Sequence, residues 1–204
     1  MIELKESDFI AEGKYQKCYK HPLDKNLCVK ISKYNVTETR LASELNYSKK
    51  ISQRDSSKFD YPFFSHYYGE KTTNFGTGYV HQLIRDETTS KISKTLEYYL
   101  LTTNCILSDE ILSIAFERLK LQMIKHKVIA NNIRSKNICC KILKDNSVQL
   151  ILVDGLGHRD FLPLVDWFSF FAKKKIERHL LKWKLHDIKE QREYLKQELA
   201  LLYL

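Results

Sequence analysis

Val128-Ile-Ala-Asn-Asn-Ile-Arg-Ser-Lys-Asn-Ile138 is the stretch on which the reading of this chain turns. A helical run precedes it: Ser108 is a good N-cap, Asp109 and Glu110 suit the positive end of a helix dipole, and the run extends to about Lys125. A hairpin pattern follows it, with an apolar Ile138–Leu143, a turn at Asp145-Asn146, and a second apolar run Val148–Val153. Seventeen residues beyond Asn137, that second strand ends in Leu152-Val-Asp-Gly-Leu-Gly157. Helix, polar loop, hairpin and a strand closing on an aspartate and a glycine therefore come in one fixed order.

Working back toward the N-terminus, Ile2-Glu3-Leu4, Lys17–Lys20 and Leu27–Ser32 read as short strands, the last two joined through His21-Pro-Leu-Asp-Lys-Asn26. Thr37 to Ile51 has helical spacing, with Leu41, Leu45 and Ser48 on one face and Lys49 and Lys50 on the other. Residues 52–61 are polar and read as a loop, and Phe63–Thr72 and Tyr79–Ile84 flank a turn at Asn74-Phe-Gly-Thr-Gly78. Arg85–Lys94 is charged and rich in Ser and Thr, which places a boundary there: a β-rich N-lobe over 1–84 and a helical C-lobe over 85–204. Residues 163–204 look wholly helical, with Trp167, Phe170, Phe171, Leu180, Leu181 and Leu185 expected in the core. The expected fold class is α+β, in two lobes.

Two further segments carry chemistry. Ile10-Ala-Glu-Gly-Lys-Tyr-Gln-Lys-Cys-Tyr19 lies between strands, and Val29-Lys30-Ile31 begins eleven residues after Cys18. Glu44 follows on the next helix, fourteen residues after Lys30. These segments and the 128–138 loop together resemble a protein kinase: a glycine-rich loop, a phosphate-binding lysine on a strand, a helix-borne carboxylate, a catalytic loop and a metal-binding Asp-x-Gly. Lys17-Cys-Tyr-Lys-His-Pro22, Cys28-Val-Lys-Ile31, Ser43-Glu-Leu45 and Gly76-Thr-Gly-Tyr-Val80 resemble the YrbL family, the PhoP-regulatory-network proteins of proteobacteria, from about residue 4 to Leu162-Pro163. That family is assigned to the protein-kinase-like fold.

The resemblance implies ATP and Mg²⁺ as cofactors. Gly13 would cover the nucleotide, Lys30 would hold its α- and β-phosphates, and Glu44 would orient Lys30. Asn137 and Asp154 would ligate the metal, Asn132 occupies the catalytic aspartate's position, and Arg134 that of the substrate-side lysine. Two departures stand out. Asn132 is an amide and cannot accept a hydroxyl proton, and the C-terminal lobe is short for a platform that holds a protein substrate. His158-Arg159-Asp160 spells the kinase tripeptide, but Val165 stands where the metal-binding asparagine belongs, so it reads as part of an activation-type segment.

Composition narrows the rest. The chain has 204 residues, 43% hydrophobic, with 6 Gly and 3 Pro, which excludes global disorder and low-complexity classes. No apolar run approaches a membrane span, and Met1–Phe9 carries three acids and no apolar segment of a signal peptide, so a cytoplasmic protein is expected. The five cysteines lack CxxC spacing and read as small reduced hydrophobes, and no HExxH appears. Net charge is 34 − 25 = +9, and from Arg118 to Lys144 there are eight Lys/Arg and no acid. Such a run reads either as a solvated face or as an electropositive rim for a phosphorylated, nucleic-acid or acidic-lipid partner.

The leading expectation is a kinase-like phosphotransferase acting on an anionic small-molecule, lipid-linked or protein acceptor. The alternative is a pseudokinase, a nucleotide-sensing or scaffolding module with a regulatory protein partner, and Asn132 is its main support. Nucleotidyl transfer ranks third. Specific nucleic-acid binding ranks last, because no RRM or KH signature accompanies the basic run. The C-terminal segment from Pro163, with nine Lys/Arg against six Asp/Glu, either touches a membrane surface or closes the small lobe.

Overall fold

A computed structural model of the chain describes all residues except 34–37, 55, 103–105, 158–168, 184, 186 and 203–204. It is a mixed α+β structure with an antiparallel sheet in its N-terminal part and helices in its C-terminal part. The chain divides into two compact units, one of Met1–Arg54 and Ser65–Arg85, the other of Asp55–Phe64 and Asp86–Leu204.

In the first unit, strands β1 (Phe9–Glu12), β2 (Gln16–Lys20), β3 (Leu27–Ser32), β4 (Tyr67–Thr73) and β5 (Gly76–Gln82) form one antiparallel sheet in the order β1-β2-β3-β5-β4. Register follows the apolar alternation: Tyr19 on β2 and Val80 on β5 both lie opposite Val29 on β3. Tyr19, Val29, Ile31 and Leu4 are buried together on one face. Helix α1 (Glu38–Ser52) packs against β4 and buries Tyr47, Ser48 and Ile51, a helical stripe.

The expected strand at Ile2–Leu4 is a single bridge from Ile2 to Thr73. The cause is Asn74, whose Oδ1 accepts from the Leu4 N–H at 2.8 Å and whose Nδ2 donates to the Leu4 carbonyl at 3.0 Å. With both peptide groups of Leu4 satisfied by one amide, backbone pairing stops at Ile2, whose N–H donates to the Thr72 carbonyl at 2.8 Å. The chain turns through Glu6–Asp8 into β1, a strand that the sequence reading did not include.

Gly78 fixes the middle of this sheet. A Cβ there would stand 2.5 Å from Val29 Cγ1 and 2.7 Å from Thr73 Cγ2, so glycine alone lets β5 lie flat against its neighbours' side chains.

The second unit contains helices α2 (Leu96–Leu101) and α3 (Asp109–Lys125), the hairpin β6 (Ile138–Ile142) and β7 (Val148–Leu152), and helices α4 (Ser169–Lys182) and α5 (Ile188–Leu202). Ser108 caps α3 as its sequence predicts, its hydroxyl accepting from the Ile111 N–H at 3.3 Å. Leu112, Phe116, Leu119 and Met123 are the buried stripe of α3, which packs on β7 and α4. Helix α2 is an addition to the sequence reading; Thr95 caps it by accepting from the Tyr98 N–H at 3.2 Å. Arg192 on α5 is paired with Asp109 at the start of α3, 2.7 Å apart, and donates to the Tyr99 carbonyl.

Residues 55–64 join this second unit through aromatic packing. Phe59 contacts Phe63, Phe64 and His126 ring to ring, and the Leu152 N–H donates to the Phe63 carbonyl at 2.9 Å. The strand expected from Phe63 therefore begins at Tyr67.

On α4 the expected core residues divide. Leu180 is buried, as is Leu185 beyond the helix, whereas Phe170, Phe171 and Leu181 are 60%, 43% and 59% exposed. The buried stripe is Ala172, Ile176 and Leu180, and on a helix of 3.6 residues per turn it turns the two phenylalanines and Leu181 outward. Trp167 lies outside the described residues. Of the cysteines, Cys18, Cys28, Cys139 and Cys140 form no disulfide, and Cys105 lies outside the described residues. Among the described residues no helix is long and apolar enough to cross a membrane.

Gly78→Ala is expected to lower the unfolding free energy by about 1–3 kcal/mol, the cost of overpacking a filled site. Gly13→Ala serves as the comparison and should change it by less than about 0.5 kcal/mol, because a Cβ at Gly13 meets only the Gln16 carbonyl oxygen at an ordinary 3.6 Å. Urea denaturation of the three proteins checks both.

Candidate functional site

The 128–138 loop is anchored by its apolar residues: Val128, Ile129, Ala130 and Ile133 are buried, while Asn131, Asn132 and Arg134 between and after them are half-buried. Ser135–Asn137 forms one 3-10 turn into β6.

Asn137 organises this segment. Only 6% exposed, it donates from Nδ2 to the Asn132 carbonyl at 2.8 Å and from its backbone N–H to the Arg134 carbonyl at 2.9 Å. Its own carbonyl accepts from the Val153 N–H at 2.9 Å, which binds the loop to the end of β7. The Asn132 N–H donates to the Gly155 carbonyl at 3.3 Å, and the Gly157 N–H to the Ile129 carbonyl at 2.9 Å. Gly155 has φ +74°, and a Cβ on it would stand 2.5 Å from the Asn132 carbonyl oxygen; no other residue fits here without moving the loop.

Asp154 thus lies between two pinned neighbours, Val153 held to Asn137 and Gly155 held against Asn132. Asn132, Asn137 and Asp154, far apart in sequence, are brought together by backbone bonds within one unit. Because Nδ2 of Asn137 is committed to a carbonyl, its Oδ1 is the end that remains to meet a cation. An amide oxygen and a carboxylate are hard donors suited to Mg²⁺, which takes one or two protein ligands and completes its shell with phosphates and water. Among the described residues no group of three or more His, Cys, Asp or Glu could hold a metal by itself.

Arg134 lies elsewhere than at an open position. Its guanidinium carbon is 3.8 Å from the centre of the Trp183 ring, a stacked cation–π contact, and its buried Nε has no hydrogen-bond partner among the described residues. Two titratable groups that the sequence reading did not single out flank this loop. Burial pushes the Glu97 carboxyl up, against the opposing pull of the Lys136 and Arg134 cations and a hydrogen bond from Ser135. His179 Nδ1 is 2.8 Å from the Ala130 carbonyl, and burial holds its pKa below the ordinary value, helped by the cations of Lys175, Arg178 and Lys182 and opposed by the Ala130 contact. Neither residue has a local sequence signal; the Thr95 cap that starts α2 was the one clue to Glu97.

In the first unit, Lys30 is half-buried in the middle of β3, opposite Cys18 on β2 and Tyr79 on β5. Strand alternation puts it on the face away from buried Val29 and Ile31. Glu44 is half-buried on α1. Gly13 sits in the β1–β2 turn, its N–H donating to the Gln16 carbonyl at 2.8 Å. His158-Arg159-Asp160 lies outside the described residues.

The basic run 118–144 finds its counter-ions elsewhere in the chain. Lys120 pairs with Glu117 at 3.2 Å, Lys125 with Asp60 at 2.8 Å and Lys141 with Glu87 at 2.7 Å. The lysine hydrogen bonds hold the Asp60 and Glu87 carboxyls below their usual range, with Gln122 also donating to Asp60. Such exposed pairs add little stability, about 0–1 kcal/mol each. They offset three of the eight positive charges of the run.

A family model described as PhoP regulatory network protein YrbL matches residues 2–185 of the chain. Two relatives, each described as "Uncharacterized protein YrbL", one from Escherichia coli (strain K12) and one from Shigella flexneri, are 27% identical to it over 182 residues, covering 87% of this chain and 84% of each relative.

His179 makes the loop's stability sensitive to pH. Its folded pKa lies below the ordinary 6.5, so the unfolded chain takes up the proton first as pH falls. Its contribution is complete above that value and is lost as pH drops through the lowered folded pKa. Unfolding free energy measured between about pH 7 and pH 5 should fall toward the acid side, and His179→Gln should flatten that slope.

Proposed function

The chain belongs to the family of the PhoP regulatory network protein YrbL, and from that premise we propose that it is a kinase-like protein that binds ATP with Mg²⁺ and transfers phosphate to a hydroxyl acceptor. The observation that carries this reading is the bonding of Asn137 and of Asp154's two neighbours to a single loop segment. Phosphoryl transfer asks little covalent chemistry of a protein and much positioning, and a metal-binding amide and carboxylate must be held rigidly to serve it.

In this reading Asn137 Oδ1 and the Asp154 carboxylate hold Mg²⁺. When bound, the ion neutralises charge on the phosphates. The Lys30 ammonium holds the α- and β-phosphates, Glu44 orients it, and Gly13 lets the β1–β2 turn approach the nucleotide. The local backbone has room for a Cβ at position 13, so in this reading the role of Gly13 lies in its approach to the ligand. The protein-kinase-like fold is part of the same proposal and is supported by the order of these elements along the chain.

Two observations favour the pseudokinase as a second reading. Asn132 has no proton-accepting side chain, and Arg134 is committed to Trp183. Asn132 contributes to the structure through its backbone, its carbonyl accepting from Asn137 Nδ2 and from the Arg134 N–H, and its N–H donating to Gly155. A change of its side chain to a carboxylate therefore leaves these bonds in place.

Thermal unfolding with and without ATP and Mg²⁺ tests the first reading. Ligand at about 100 times its dissociation constant should add about 2.7 kcal/mol to the stability of the folded state. That gain should require the metal and disappear in Lys30→Ala and in Asp154→Ala; a shift that survives both substitutions would overturn the site. Asn132→Asp separates the two readings by ATP consumption. A rise on the order of 10²–10⁴-fold marks a phosphotransferase lacking its base, and an unchanged rate marks a sensor or scaffold.

A further inference from the structure

Besides the acid-free run 118–144, the sequence holds a second basic segment, and the structure places it on one helix. Helix α4 carries Lys173, Lys174, Lys175, Arg178 and Lys182 against Glu177, a formal charge of 5 − 1 = +4. Lys175 is buried and Glu177 is half-buried. Lys173, Lys174, Arg178 and Lys182 are exposed, and none of the four is in an ion pair among the described residues.

Phe170, Leu181 and Phe171 are exposed beside them. At 100° per residue, Phe170, Leu181, Lys174, Arg178, Phe171 and Lys182 fall within about 120° of arc, opposite the buried stripe that faces α3. The Lys174 ammonium lies 4.5 Å from the centre of the Phe170 ring, so cation and aromatic are interleaved. The helix has 14 residues and is therefore about 21 Å long, lying along the surface of its unit.

We propose that this outward face of α4 docks on the surface of an anionic lipid bilayer. A bilayer offers negative headgroups for the three exposed cations of this arc, Lys174, Arg178 and Lys182, and an acyl boundary for Phe170 and Leu181. A nucleic acid would answer the charges but gives Leu181 no stacking partner. A bare polyanion would leave Phe170 and Leu181 in water. An exposed apolar group mixed with cations on one helical face is the pattern of an interfacial helix, which lies on the membrane and does not span it.

Co-sedimentation of the full chain with vesicles tests the proposal, using phosphatidylcholine alone and phosphatidylcholine mixed with phosphatidylglycerol. Binding is expected to the mixed vesicles and not to phosphatidylcholine alone, and to weaken with salt. Each cation removed should lower partitioning about fivefold, so Lys174→Gln/Arg178→Gln/Lys182→Gln together should lower it about 10²-fold. Phe170→Ser/Phe171→Ser should also reduce it, as should Leu181→Ser alone, a milder change that keeps the test sound if the double variant unfolds. Thermal melting verifies that each variant is folded. The proposal is overturned if the wild-type chain ignores mixed vesicles, if folded apolar variants bind as well as wild type, or if RNA competes the chain off the vesicles while apolar variants retain RNA affinity and binding.

Discussion

Burying an amide side chain stabilises a fold only if its hydrogen bonds are made, and Asn137 meets that condition by gripping its own loop. An unmade bond at such a position costs about 1–3 kcal/mol. That penalty holds the Asn132 carbonyl under Nδ2 of Asn137 while the Asn137 carbonyl takes the N–H of Val153. Gly155 completes the arrangement from the other side, where the absence of a side chain lets two backbones touch. The end of β7, the 3-10 turn and the loop after α3 are thereby one rigid piece. The functional reading depends on this rigidity, because a weakly ligating amide and carboxylate bind a metal well only when their positions are fixed beforehand.

Charge in this protein is distributed by tertiary contact more than by sequence. Asp60 and Glu87 come from separate segments to meet Lys125 and Lys141, while Glu117 pairs locally with Lys120 on the same helix. Each exposed pair contributes little to stability, and together they offset three of the eight cations of the run. Arg134, half-buried, is occupied by a different route, stacked on Trp183. On α4, Lys174, Arg178 and Lys182 are exposed and in no ion pair among the described residues, and they share one outward arc with Phe170.

Much of the local architecture was legible. Ser108 capped its helix at the expected residue, β3 kept its expected bounds, and the β6–β7 hairpin formed around Asp145-Asn146, because caps, turns and β-branched runs act over a few residues. Strand β1 and helix α2 were not legible, since their short segments carry little periodicity and are fixed by neighbours and by one Thr cap. The Ile2–Leu4 segment looked like a strand and is bound instead by the Asn74 amide, a partner 70 residues away. On α4 the hydrophobic count was right and the face was wrong. Which side of an amphipathic helix is inner depends on what packs against it, and Phe170, Phe171 and Leu181 compete with Ala172, Ile176 and Leu180 on equal terms until α3 is in place.

The candidate site divides the same way. By itself the sequence determined which chemical groups are present and in what order: a lysine on a strand, a glutamate on the next helix, an amide in place of a carboxylate at 132, and Asn137 and Asp154 on either side of a hairpin. Residue type and spacing are covalent facts. Only the tertiary structure decided that Asn137 donates to Asn132, that Gly155 has no room for a side chain, that Arg134 stacks on Trp183, and that Lys125 and Lys141 meet Asp60 and Glu87. Those outcomes depend on burial and on partners brought in from distant segments, and neither exists until the chain has folded.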